Sequence, residues 1–388
     1  MPFGSKKAGN QKPGARQRQA SVQAEIDSTM ARLQTMDLMG TLEEEDSPAS
    51  PDGGSAAAMA SHPDGFRIGN DVVPPSGFKE IAILGVGTFS RVRMMQYKGV
   101  TYAMKMMKMT KVDALKQKTH IMNEKETMIE MNHPFLLQLV STYKDSTYLY
   151  MLLEICQGGE LFSRLLELKT LDEWSTRFYS GCIVLALEAL HDKNNIYRDL
   201  KPENVLLDKE GYVKVVDFGF AKKVADRTYT TCGTPEYVSP EMLEHDGHGK
   251  ATDYWTLGIF IYECLCGTTP FAAANYLDTY DKILKYAKRG HLKFPAPVSP
   301  EVRDLIQVLM APKPTERLGC LAGGCKDIRD HTWFRGFDWQ ALHDKTIEAP
   351  WTPEIEDDTD TSHFEPDDAS DDSDTEEYTA DASWCANF

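Results

Sequence analysis

The sequence lacks several things, and each absence removes a class of function. It has no long apolar run: a stretch such as Cys182 to Leu187 falls far short of the roughly 20 residues that a membrane-crossing helix needs. The opening residues, MPFGSKK, carry no apolar signal run, and Pro2 leaves no glycine for N-myristoylation. The eight cysteines (156, 182, 232, 264, 266, 320, 325 and 385) form no CxxC pair and no Cys/His set of zinc spacing. Reduced, mostly structural thiols in a soluble intracellular protein are expected. The cytoplasm is the expected compartment, with the nucleus as an alternative. No internal repeat is visible. A basic surplus is also missing: residues 78–353 hold 35 Lys/Arg against 35 Asp/Glu, so a nucleic-acid partner is not expected.

The charge that does exist lies at the ends. Residues 354–388 hold fourteen Asp/Glu and no Lys/Arg, residues 1–20 hold five Lys/Arg and no acid, and residues 21–77 hold ten acidic and two basic residues. The net −17 therefore belongs to the flanks and not to the body. At 388 residues and 41% apolar content, the chain suits two to three structural units, or one large enzyme with tails. Residues 1–77 read as a disordered or linker arm. Within it, Ile26, Met30 and Leu33 mark a short amphipathic helix over 23–38, and residues 46–64 form a flexible linker. Residues 335–388 form a C-terminal tail, acidic and rich in Ser and Thr over 353–380.

Three segments carry chemistry. The first, Leu84-Gly85-Val86-Gly87-Thr88-Phe89-Ser90-Arg91-Val92, sits between two strand-like runs. Closely spaced glycines let backbone N–H groups approach phosphates, although a plain strand-turn-strand would read the same, and Ser90 stands where a third glycine could. The second is Lys105 in the apolar run Tyr102–Met107. Such a lysine either snorkels outward or finds a partner. A helix over roughly 112–131 places Glu124 on the same face as Ile121 and Met128, so Glu124 can be that partner. The third segment runs Asp199-Leu200-Lys201-Pro202-Glu203-Asn204, then a hairpin of strands 205–207 and 212–216, ending at Asp217-Phe218-Gly219. The hairpin returns Asp217 to the end where Asn204 starts it. Hard oxygen ligands at one point suit Mg2+. Turn capping explains any one of these residues, but not readily all three with Lys201 between them.

These motifs, in this order, resemble a eukaryotic protein kinase over about residues 78–364. The resemblance is nearest to the AGC group: Tyr197-Arg198-Asp199, Asp217-Phe-Gly-Phe-Ala-Lys222, Cys232-Gly-Thr-Pro-Glu-Tyr237, Ser239-Pro240-Glu241 and Asp360-Thr-Ser-His-Phe364. Residues 326–334 and Trp384-x-x-x-Phe388 resemble the cyclic-GMP-dependent branch. The short segment 223–230 resembles the cyclic-AMP-dependent catalytic subunit. The implied fold is α+β and bilobal, a β-rich N-lobe over about 78–153 and a mostly helical C-lobe over about 157–334.

The resemblance implies roles. Lys105, held by Glu124, should contact the α- and β-phosphates of ATP, Asn204 and Asp217 should bind two Mg2+ ions, Asp199 should accept or orient the substrate hydroxyl proton, and Lys201 should touch the γ-phosphate. Leu84, Gly85, Val86, Gly87 and Ser90 should cover the phosphates. Val92, Ala103 and Phe364 should enclose adenine, beside a hinge of Glu154-Ile155-Cys156 and a gatekeeper Leu153. Asp253 should brace the catalytic loop, and Glu241 and Arg317 should pair. Thr230 should be an activating phosphosite collected by Arg198, Lys222 and His120. Glu160, which also borders the nucleotide, Glu203 and Glu263 should select Ser/Thr substrates with Arg at −3 or −2. Pro235 and Val238 should favour an apolar residue at +1. The Trp384/Phe388 end should dock near the Glu124 helix.

Arg16-Gln-Arg-Gln-Ala-Ser21-Val22 itself reads as such a substrate, making Ser21 an autophosphorylation or autoinhibitory candidate, with a chance match as the alternative. Ser370, Ser373 and Thr375 suit an acid-directed kinase. The 77 residues before the kinase are too few for a usual cyclic-nucleotide-binding domain, so such sensing would need a separate regulatory subunit. The rival reading is a pseudokinase scaffold, weakened by the presence of Lys105, Glu124, Asp199, Asn204 and Asp217.

Overall fold

Successive side chains of the apolar run Tyr102-Ala-Met-Lys-Met-Met107 point to opposite sides of its strand, and that divides the N-lobe into two apolar faces. Ala103 and Met107 point to one side, while Met104, with Tyr102 and Met106, points to the other. The structure is a computed structural model that describes residues 62, 64–230, 232–295, 297–364 and 377–388. The 23–38 helix and most of the 46–64 linker lie outside these residues, as do Ser21, Ser370, Ser373 and Thr375.

Five antiparallel strands form the N-lobe sheet in the order β3-β4-β5-β7-β6. They are β3 (Lys79–Val86), β4 (Ser90–Tyr97), β5 (Val100–Lys108), β6 (Leu139–Lys144) and β7 (Tyr148–Leu153). Ahead of them, β1 (Phe66–Ile68) and β2 (Asp71–Val73) pair as a hairpin. This corrects the reading of residues 64–77 as linker: Phe66 and Val73 are buried against the outer face of the sheet.

The helix expected over 112–131 is two helices, α1 (Met109–Ala114) and α2 (Lys118–Glu130). The break comes at Lys116, whose φ of +54° is left-handed and ends a helix. Glu124 lies on the buried side of α2 with Ile121 and Met128.

The C-lobe contains α3 (Leu161–Leu168), α4 (Glu173–Asp192), α5 (Ala251–Cys266), α6 (Tyr276–Arg289) and α7 (Pro300–Leu309). Helix α5 is apolar nearly all round and buried nearly all round, which is the position such a helix must take. Its Trp255 stacks on Phe271 at 5.8 Å. Four very short strands lie at the face toward the N-lobe: β8 (Asn195–Ile196), β9 (Val205–Leu207), β10 (Val213–Val215) and β11 (Lys222–Lys223). β9 pairs with β10 in the register Val205↔Val215, and β8 pairs with β11. The expected bilobal α+β fold is present. Among the described residues no helix is long and apolar enough to cross a membrane.

Candidate active site

The β9–β10 hairpin brings the catalytic candidates together. Because Val205 faces Val215, Asn204 and Asp217 fall at the same end, and Val216 N donates to Asn204 O at 3.0 Å. Asn204 Nδ2 donates to Asp199 Oδ2 at 2.7 Å and to Asp199 O at 2.8 Å. An amide that donates twice from nitrogen keeps its carbonyl oxygen as the acceptor end. Asp217 is exposed, with φ +57°, and its Oδ1 accepts from Gly219 N at 3.2 Å. Lys201 Nζ lies 3.0 Å from Asp199 Oδ2 and donates to Thr234 Oγ1 at 2.9 Å. Thr234 lies in the Cys232–Tyr237 motif, where spacing alone gives it no role. Its hydroxyl joins the 232–237 segment to Asp199, a link that only the folded chain reveals. Burial raises the Asp199 pKa, with Lys201 and Asn204 pulling against it.

Lys105 points inward. Its Nζ meets both oxygens of Glu124, at 2.7 and 2.8 Å. Burial opposes the ammonium, but Glu124 and then Asp217 outweigh it, so Lys105 titrates above its ordinary value. Lys105 pairs in register with Met151, and Ala103 with Leu153, so β7 fixes where both side chains sit.

The glycine loop turns between β3 and β4, and Gly87 N donates to Ser90 O at 2.8 Å. A Cβ on Gly87 would meet Ser90 Oγ at 2.9 Å, while one on Gly85 would meet nothing within 4 Å, leaving that backbone open to an approaching group. Leu84 and Val92 pack on the main core, and Val86 is exposed.

At the hinge, Glu154 N donates to Gln138 O, and Glu154 Oε1 accepts from Gln138 N and, at 2.7 Å, from Lys214 Nζ. Cys156 is buried, which pushes its thiol pKa far up. The tail crosses here: Gln157 Nε2 donates to Asp357 O at 2.9 Å, and a Cβ on Gly159 would strike His363 O. Phe364 follows, half-buried.

Asp253, fully buried in α5, accepts from Tyr197 N at 2.9 Å and Arg198 N at 2.7 Å, and its Oδ2 lies 2.7 Å from His191 Nε2. Arg317 grips Glu241 with two bonds of 2.6 Å, out of water. Thr230 is exposed. Arg198 Nε donates to Phe220 O, and its buried Nη1 has no partner among the described residues. Lys222 donates to Thr228 Oγ1 and the His120 ring packs at a tilt on Phe220, so all three residues flank the activation segment. Cys232 is half-buried, and desolvation raises its thiol pKa, which disfavours a reactive thiolate.

Glu160 immediately precedes α3 without a side-chain cap and forms a backbone β-bridge with Leu206, and α3 packs on the 202–204 turn. Glu263 accepts from Tyr237 OH. Burial lifts Glu263 to about 7, with Glu203 and Glu236 adding to the rise, so three carboxylates share one region. Sequence reasoning missed Glu236. Val238 is buried beside them.

The tail end sits on the N-lobe. Phe388 is fully buried, Lys125 of α2 lies over its ring at 4.8 Å and donates to Asn387 O, and Lys118 lies over Trp384 at 5.5 Å.

A family described as protein kinase domain matches residues 78–334. The chain is 43% identical over 318 residues to the cAMP-dependent protein kinase catalytic subunit PRKX of Homo sapiens, covering 81% of this chain and 87% of that protein. It is 46% identical over 290 residues to cGMP-dependent protein kinase isozyme 2, forms cD5/T2, of Drosophila melanogaster, covering 74% of this chain but 31% of that protein. To the cAMP-dependent protein kinase catalytic subunit of Dictyostelium discoideum it is 42% identical over 290 residues, 74% of this chain and 44% of that protein.

Proposed function

The chain belongs to the protein kinase family, as a serine/threonine kinase of the cAMP- and cGMP-dependent group that uses ATP and Mg2+, and we propose from this which residues transfer the phosphoryl group, which substrates they select and what activates them. The observation that carries the reading is the convergence of Asp199, Lys201, Asn204 and Asp217 at one end of the β9–β10 hairpin, with Asp217 within electrostatic range of Lys105.

Lys105, fixed between the Glu124 oxygens, holds the α- and β-phosphates. The open backbone at Gly85 lets the loop close over them. The donor set of Asp217 carboxylate and Asn204 carbonyl oxygen fits Mg2+. Two ions held there would supply positive charge against the charge developing on the phosphoryl oxygens. Asp199, whose raised pKa makes it the better proton acceptor, takes or orients the proton of the substrate hydroxyl. Lys201 steadies the γ-phosphate. The hinge between Glu154 and Cys156 receives adenine against Ala103 and Val92, and Phe364 closes the edge.

Glu160, Glu203 and Glu263, with Glu236, select Arg at −3 or −2 through guanidinium–carboxylate pairing. An Arg-at-−3 peptide and its Arg→Ala version, assayed side by side, test this; equal kcat/KM for the two overturns it. Phosphate on Thr230 would engage the unpartnered Arg198 Nη1, with Lys222 and His120 alongside. Each charge-assisted bond is worth about tenfold, so Thr230→Ala should lower phosphotransfer by about tenfold or more; full activity rejects the site. Ser21 is the proposed autosubstrate. Mass spectrometry after Mg-ATP, against an Asp199→Asn control, detects or excludes it. A separate cyclic-nucleotide-binding subunit is the proposed regulatory partner, and the cytoplasm the proposed compartment.

A further inference from the structure

The hairpin of β1 and β2 lies ahead of residue 78, where the family match begins. It is built into the N-lobe. Phe66 is fully buried, with ring centroids 5.6 Å from Phe78, 5.6 Å from Tyr143 and 6.1 Å from Tyr150. Arg67 N donates to Ser141 Oγ at 2.9 Å. Lys98 of the β4–β5 turn pairs with Asp71 at 2.7 Å. Gly65 makes the entry possible, because a Cβ there would strike Val73 O at 2.4 Å. The hairpin thus covers Met95, Met104, Tyr150 and Leu152, an apolar surface that would otherwise face water.

The C-terminal segment holds the same β6–β7 ribbon from elsewhere. Lys144, next to Tyr143 and therefore on the opposite face of β6, donates to Cys385 O. Tyr378 N donates to Ser146 O in the turn of that ribbon at 2.9 Å, and Tyr378 OH donates to Asp113 of α1 at 2.7 Å. β7 then pairs with β5 at Met151↔Lys105 and Leu153↔Ala103 and runs into the hinge.

We propose that Phe66 is a positioning residue for the nucleotide site, acting through the β6–β7 ribbon that it and the C-terminal Trp384–Phe388 segment clamp from two sides, so that the two ends of the chain are energetically coupled. The inference rests on the hinge and β5 being the nucleotide site. The N-terminal arm is then joined to the ATP pocket by packing, and a change at either terminus reaches the hinge through one ribbon.

The test uses the full chain carrying Phe66→Ala, Phe388→Ala or both, with KM for Mg-ATP, kcat and hydrogen exchange over residues 139–156 measured together. Each single variant should raise KM for ATP about threefold or more, leave kcat within twofold, and speed exchange at 139–153. The double variant should raise KM by less than the product of the single effects. A lowered melting temperature with unchanged KM, or strictly multiplicative effects, overturns the proposal. Protection of 153–156 by Mg-ATP in the unaltered protein is read in the same runs. Its absence would count against the hinge assignment, and its presence with unchanged KM in the variants against the coupling.

Discussion

Asp253 offers the sharpest single perturbation of the catalytic loop. It is completely buried and receives two backbone N–H groups, from Tyr197 and Arg198, with His191 Nε2 also at 2.7 Å. Arg198 has φ +71°, a left-handed conformation that an arginine adopts only when its surroundings impose it. Asp253→Ala strands these partners away from water. At about 1–3 kcal/mol for each unsatisfied group, two backbone donors and the imidazole sum to about 3–9 kcal/mol. That is a large share of the roughly 5–15 kcal/mol by which a folded protein is stable. Asp253→Asn keeps one acceptor oxygen and turns an amide toward the other donor, so it should lose about 1–3 kcal/mol. Asp199 lies two residues beyond Tyr197, and a misplacement of about 1 Å in a reacting group costs about a hundredfold. In the soluble Asn variant kcat should therefore fall far more than KM for ATP, because Lys105 and the hinge belong to other elements. Urea unfolding and steady-state kinetics on both variants read these quantities. If Asp253→Ala lost less than about 1 kcal/mol and kept kcat within about threefold, the bracing argument would be refuted.

Other outcomes follow from the same reasoning. Glu241→Ala leaves Arg317 charged and without its carboxylate in a dry site, which should cost about 3–5 kcal/mol in urea unfolding; a loss under about 1 kcal/mol would mean water reaches the site. Burial first, then Glu203 and Glu236, raise Glu263 to about 7, so this carboxyl is mostly protonated at pH 6 and mostly ionised at pH 8. KM for an Arg-containing peptide should fall as pH rises through that range, relative to its Arg→Ala version. Glu263→Gln should flatten the profile, and an unchanged slope counts against the pairing. Deleting residues 384–388 removes the buried Phe388 and the partners of Lys125 and Lys118 on α2. It should lower thermal stability and kcat/KM for ATP together; no change in either would leave this segment without influence on α2.

The parts of the fold legible in the sequence were those with strict spacing. A two-strand return fixed Asn204 opposite Asp217, and one apolar face fixed Glu124 toward Lys105. The docking of the Trp384/Phe388 end came from the resemblance to AGC kinases, since two aromatics four apart do not by themselves name a groove. What escaped had weak local signals. The β1 and β2 strands are three residues each, too short to show alternation, and their worth lies in Phe66 meeting Tyr143 and Tyr150, about eighty residues away in sequence. The α1–α2 break was hidden because apolar residues recur on both sides of it, and Lys116 is no usual breaker. The joining of Thr234 to Asp199, and of Glu236 to Glu203 and Glu263, depends on how the activation segment folds over the C-lobe.

The most direct test of the account is phosphotransfer from Mg-ATP to an Arg-at-−3 serine peptide by the Thr230-phosphorylated chain, measured beside Asp199→Asn with ATP affinity determined separately. The account predicts robust transfer by the unaltered chain, and in the variant a loss of about a hundredfold or more in kcat with ATP affinity retained. Transfer by Asp199→Asn within about threefold of the unaltered chain would contradict it.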